Sequence, residues 1–196
     1  MPYAPFDPTR AVTFDLSSGQ VHLQDSPSTV IVPAAALADL CASAGEEATA
    51  RFGRAIGEAM GKRIAGRLGG PQASRAEVET ATIEGFVEHL GGEFALTGMG
   101  AVTLERWGKA LVFVLDRGAL PAGLVAALFE AALQVATGRS VRCIRIMEEQ
   151  VRSRYLVTSV SAAGRVQGWL SEGASWGEAL VKLHAAQQAP QPRGDA

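Results

Sequence analysis

Between Leu37 and Leu68 apolar residues recur every three or four positions: Leu37, Leu40, Cys41, Ala44, Ala48, Phe52, Ile56, Met60, Ile64 and Leu68. That spacing predicts an amphipathic helix of about nine turns, entered through Pro33 and open to a break at Gly45. A second row, offset by one residue, holds only small side chains: Gly45, Thr49, Gly53, Gly57, Gly61 and Ala65. A third row, Arg54, Glu58 and Lys62, alternates in sign as a solvated face does. A glycine inside a helix costs roughly 1 kcal/mol relative to alanine. Gly53, Gly57 and Gly61 therefore imply that something lies close against this backbone: a core neighbour, a second copy of the chain, or a ligand.

Upstream, AVTFDLSSGQVHLQD alternates around a Ser-Ser-Gly-Gln turn and predicts a small hairpin. Downstream, Gly69–Gly70–Pro71 ends the long helix, and Ser74 with Glu77 forms a capping box for a second helix, which Gly91–Gly92 stops. From Glu93 the period changes to two, and three short apolar runs separated by glycines predict an antiparallel meander. LPAGLVAALFEAALQVATG is a nearly all-apolar helix, covered on most sides. SVRCIRIMEEQ and SRYLVTSVS add two strands, and a helix capped by Ser175 closes the pattern. The expected fold class is α+β: a four-stranded antiparallel sheet backed by long helices, with an N-terminal hairpin and an extra C-terminal helix. The expected organisation is a flexible arm over 1–10, one domain over 11–162, a helical extension over 163–187 and a disordered tail over 188–196.

With 196 residues, 47% hydrophobic, the chain suits one ordinary core. Its formal net charge of −2 and the absence of a basic stripe argue against nucleic acid as a partner. No apolar run is long enough to span a membrane, and the first residues lack the pattern of a secretory signal. Cys41 and Cys143, far apart and without a CxxC, read as reduced, buried thiols of a cytoplasmic protein. His22, His89 and His184 stand alone, so no metal site is expected. GKRIAGRLGG is not a phosphate loop, GGEFALTGMGAV is not a dinucleotide fingerprint, and no GxSxG occurs. No catalytic residue and no cofactor are expected.

The helix IVPAAALADLCASAGEEATARFGRAIGEAMGKRIA, with its G-E-x-A and G-x-x-x-G, and the later unit LFEAALQVATGRSVRCIRIMEEQVRSRYLVTSVS together resemble the 4-vinyl reductase domain family over residues 12–161. Related domains form the sensory part of aromatic-responsive transcription activators, and their fold resembles subunits of the TRAPP vesicle-tethering complex. The resemblance implies an antiparallel sheet backed by helices, dimerisation through the long helices and an apolar ligand pocket. Many members carry cysteines, taken as zinc ligands, around the last two strands. Here Val151, Ser153 and Arg154 stand there, so zinc is not carried over.

The expected function is a non-catalytic, homodimeric sensor or adaptor that binds a small apolar ligand or a partner protein. Its pocket is expected where Phe52, Ile56 and Met60 meet Trp107, Phe113 and Phe129, beside the groove of Gly53, Gly57 and Gly61. Trp169 and Trp176, outside the resemblance, are candidate docking residues. A scaffold subunit acting only through protein contacts and a reductase-type enzyme are the alternatives.

Overall fold

The computed structural model describes residues 5–23, 29–69 and 83–188. The capping box at Ser74 and Glu77 and the tail from 189 lie outside them. The fold is α+β. A two-stranded hairpin, β1 (Val12–Asp15) and β2 (Gln20–Leu23), precedes α1 (Ala34–Ala44), α2 (Glu46–Gly69) and α3 (Ile83–Leu96). Then come β3 (Ala101–Trp107), β4 (Ala110–Asp116), α4 (Ala122–Thr137), β5 (Arg142–Glu149), β6 (Arg152–Thr158), α5 (Val160–Ser171) and α6 (Trp176–Gln188). The four longer strands form one antiparallel sheet in the order β3-β4-β6-β5.

The two faces of this sheet carry separate cores, because side chains alternate along each strand. Val102, Phe113, Leu115, Cys143 and Tyr155 point toward α2, α3 and α4. There Phe113, Phe129 and Tyr155 meet edge to face, with ring centroids 5.2 and 5.4 Å apart, and Phe94 stacks on Phe129 at 5.3 Å. Ala110, Val112, Ile144 and Leu156 point the other way and are covered by Val166 of α5 and Leu180 and Leu183 of α6.

The glycine row lies against α4 of the same chain. A methyl group on Gly53, Gly57 or Gly61 would come within 2.4, 2.3 and 2.8 Å of the carbonyl oxygens of Leu124, Leu128 and Ala132. Both sets repeat every four residues in the same sense, so α2 and α4 run parallel with their i+4 rows meshed and backbone touching backbone. The expected nine-turn helix is interrupted at Gly45, whose φ of 84° suits glycine and separates α1 from α2.

Two further differences from the sequence reading have packing causes. Gly91–Gly92 does not stop the second helix, which runs on to Leu96. A Cβ on Gly91 would press on the Val102 carbonyl at 3.0 Å, and one on Gly92 would strike the Phe6 ring at 2.4 Å. These glycines admit neighbours rather than end the element. The meander after Glu93 accordingly has two strands, β3 and β4, instead of three. Secondly, the C-terminal region holds two helices, and the expected boundary after residue 162 falls inside α5, which Ser159 caps by accepting from the Ala162 N–H at 3.3 Å.

Because α5 and α6 cover Val112 and Leu156, both fully buried, a chain ending at Ala162 is expected to aggregate. Size-exclusion chromatography of that truncation beside the full chain checks this. A soluble, folded truncation would show the second core to be dispensable.

Candidate functional site

α1 meets α2 at Gly45, and the turn is held from inside. The Gly45 N–H and the Thr49 hydroxyl both donate to the Cys41 carbonyl, at 3.2 and 2.9 Å. Thr49 is itself buried, so its hydroxyl is satisfied locally rather than by water. On the inner side of this bend opens a cleft of about 650 Å³. Its walls are the first turns of α2 (Gly45, Glu46, Thr49, Ala50, Arg54), the N-terminal half of α4 (Pro121, Gly123, Ala126, Ala127, Glu130), the start of β5 (Arg142, Cys143) and Gln167 of α5, with Cys41 and Ala42 of α1. That volume is within the range that small-molecule sites occupy.

Glu130 ties α4 to β5 at the cleft. One carboxylate oxygen accepts the Cys143 N–H at 2.9 Å and the other accepts from Arg142 Nη1 at 3.0 Å. Burial, and then the Glu130 charge, push the Cys143 thiol well above its ordinary value. Cys143 therefore stays protonated and makes a poor nucleophile. Burial likewise raises the Tyr155 phenol to about 12, which removes it as an acid or base near neutrality.

The residues expected to form an apolar pocket do not gather around an opening. Met60, Phe113 and Phe129 are fully buried and pack into the core. Ile56 lies at its margin, while Phe52 is 44% exposed on the outer side of the bend. Trp107 is on the opposite face of the sheet from Phe113. Phe52 does line a small apolar dimple of about 100 Å³ with Leu40, Cys41, Ala44, Ala48 and Thr49, so it neighbours the larger cleft through Cys41 and Thr49. Trp176 packs against Trp107 with the rings tilted by 44° and centroids 4.8 Å apart, and Trp169 packs in the second core with the Lys182 ammonium 5.8 Å from its ring.

The β5–β6 hairpin carries an ion network around Arg154, one of the positions expected from the resemblance to hold thiols. Arg154 donates from Nε to Glu105 at 3.1 Å, lies 3.1 Å from Glu149 through Nη1, and stands 6.0 Å from the Trp107 ring. A metal cation would meet this guanidinium, so the donor set does not suit zinc. Among the described residues no group of three His, Cys, Asp or Glu could hold a metal ion.

A buried charge cluster that sequence reasoning missed sits on the far side of α2. Glu93, 1% exposed, accepts from Arg63 Nη2 at 2.6 Å and pairs with Arg67 Nη1 at 2.7 Å. The Arg67 guanidinium also covers the Phe6 ring at 4.9 Å, and Phe6 meets His89 edge to face at 5.9 Å. The N-terminal arm is docked at this point.

Exposed large apolar residues concentrate toward the N-terminus. Phe14 and Leu16 on the hairpin, Val30, Ile31 and Val32 before α1, and Leu40 and Phe52 are all exposed, Ile31 by 74%. Thr29 forms an isolated antiparallel bridge with Val21, which brings the chain just before Val30, Ile31 and Val32 beside the hairpin. Among the described residues no helix is long and apolar enough to cross a membrane.

No family model and no curated protein matches the chain. Among solved structures the fold is similar to the phenol-responsive sensory domain of the transcription activator PoxR, determined with phenol. The TM-score is 0.55 at 16% identity, over 89% of this chain and 92% of that one.

Proposed function

We propose that the chain is a non-catalytic sensory module of the 4-vinyl reductase type, acting in the cytoplasm as a homodimer, with a small molecule held in the cleft at the α1–α2 bend. The observation that carries this reading is that cleft: an opening of ligand size, walled by five elements, in a fold similar over 89% of the chain to a phenol-responsive sensory domain. Because α1, α2, α4 and β5 all contribute lining, a bound molecule would brace the bend against the sheet. That is how occupancy can reach a distant surface without chemistry at the site.

The Cys143 thiol and Tyr155 phenol of the first core are both held protonated, which speaks for binding over catalysis. The homodimer reading draws on the exposed apolar residues of the hairpin and of residues 30–32, a surface that a second copy would cover. Ile31→Asp is expected to shift a dimer to monomer in sedimentation velocity with the circular dichroism unchanged. A dimer that persists through Leu16→Asp and Ile31→Asp together would move the interface elsewhere.

The ligand reading is tested by extraction. Protein purified under mild conditions is expected to release a small molecule on denaturation, and Ala126→Trp, which fills the cleft from α4, is expected to carry none. Equal content in both would place the molecule outside this cleft.

A further inference from the structure

We infer that the cleft at the α1–α2 bend is built for a monocarboxylate with an apolar body, its carboxylate held by Arg54 of α2 and Arg142 of β5. This rests on the cleft being the ligand site. The two arginines reach the same cleft from different walls. Arg142 is already oriented: its Nη1 donates to Glu130 at 3.0 Å, which leaves the Nε and Nη2 hydrogens for another acceptor. Glu130 is engaged through both oxygens, by Arg142 and by the Cys143 N–H at 2.9 Å, so its charge is compensated within the wall. The Arg54 side chain makes no hydrogen bond or ion pair among the described residues. Its planar fork matches a carboxylate in a way an ammonium would not.

The uncharged lining narrows the class. Cys41, Ala42, Ala50, Ala126, Ala127 and Cys143 are small and apolar and outnumber Thr49, whose hydroxyl donates to the Cys41 carbonyl, and Gln167. That balance suits a hydrocarbon or aromatic body rather than a sugar or nucleotide. Glu46, in the first turn of α2, also faces the cleft, and a second negative charge on the ligand would be repelled by it. One carboxylate is therefore favoured over a phosphate or a dicarboxylate.

The test uses the full chain and a matched pair of probes, 4-(trifluoromethyl)benzoate and 4-(trifluoromethyl)benzamide, followed by fluorine NMR. The two share size and body and differ in charge. The benzoate is expected to bind more tightly than the amide by about tenfold or more, the usual weight of a charge-assisted contact. Arg54→Gln, an exposed substitution that breaks no hydrogen bond or ion pair among the described residues, is expected to erase that preference, weakening the benzoate about tenfold more than the amide. Arg142→Gln should act in the same direction. Ala126→Trp should weaken both probes. Equal binding of the two probes, or a benzoate preference that survives Arg54→Gln, would overturn the carboxylate assignment and leave the cleft as the site. Failure of both probes to bind, or binding that ignores Ala126→Trp, would overturn the site itself.

Discussion

Gly57→Leu is expected to prevent folding, and Gly57→Ala to cost about 2–3 kcal/mol although alanine is the better helix former. The reason is the α2–α4 contact. A Cβ on Gly57 would lie 2.3 Å from the Leu128 carbonyl oxygen and 2.9 Å from its Cα. The obstacle is backbone, which cannot rotate aside as a side chain would. The whole of α4 must shift, and with it the Phe129 ring that holds Phe94, Phe113 and Tyr155 together. Gly66 supplies the control on the same helix, since nothing lies within 4 Å of a Cβ there. Gly66→Ala should raise stability by up to about 1 kcal/mol, the bare propensity difference. Urea denaturation of both variants checks the pair, and two losses of similar size would mean that general helix distortion, not the α4 contact, sets the cost.

Glu93→Gln is expected to be the most damaging change that keeps side-chain volume, at about 3–5 kcal/mol. The carboxylate is 1% exposed and its two guanidinium partners only 12 and 13%, so neither water nor salt screens the cluster. Replacing the charge with a neutral amide takes from Arg63 and Arg67 the buried carboxylate they share, and Arg67 lies over Phe6. The surface pair Arg145–Glu148 gives the contrast: its side chains are 40 and 61% exposed, and Glu148→Gln should cost no more than about 0.5 kcal/mol. Thermal melts at low and high salt separate the two, because only the exposed pair should respond to ionic strength. A Glu93→Gln variant as stable as the parent would mean that the Glu93 charge contributes nothing to holding α2 against α3.

The chain's hydrophobic periodicity carried the layers and the four-stranded sheet, and the small-residue row announced a close approach. What it could not announce was the partner. α4 is apolar on nearly every side, so nothing in its pattern marks the strip that meets Gly53, Gly57 and Gly61. The same ambiguity misplaced the end of α3. Gly91–Gly92 has the composition of a stop, yet those residues stay helical because Val102 and Phe6 need the space. That error hid Glu93, which as a helical residue points at Arg63 and Arg67 and as a strand residue would not.

The candidate site was the least legible part. Met60, Phe113 and Phe129 have the composition of a pocket, but large apolar side chains fill a core as readily as they line a cavity. The open cleft is lined by alanines, cysteines and scattered charges drawn from four separated segments, none of which forms a pattern along the chain. Along the chain Cys41 and Cys143 speak only of redox state; that they border one cleft is a consequence of topology alone.

Native mass spectrometry of the full chain, purified without detergent or chaotrope, tests the central claim most directly. The account predicts twice the polypeptide mass plus small-molecule increments that vanish on denaturation and are missing from Ala126→Trp. A bare, single-chain mass for the parent and the variant alike would contradict both the dimer and the occupied cleft.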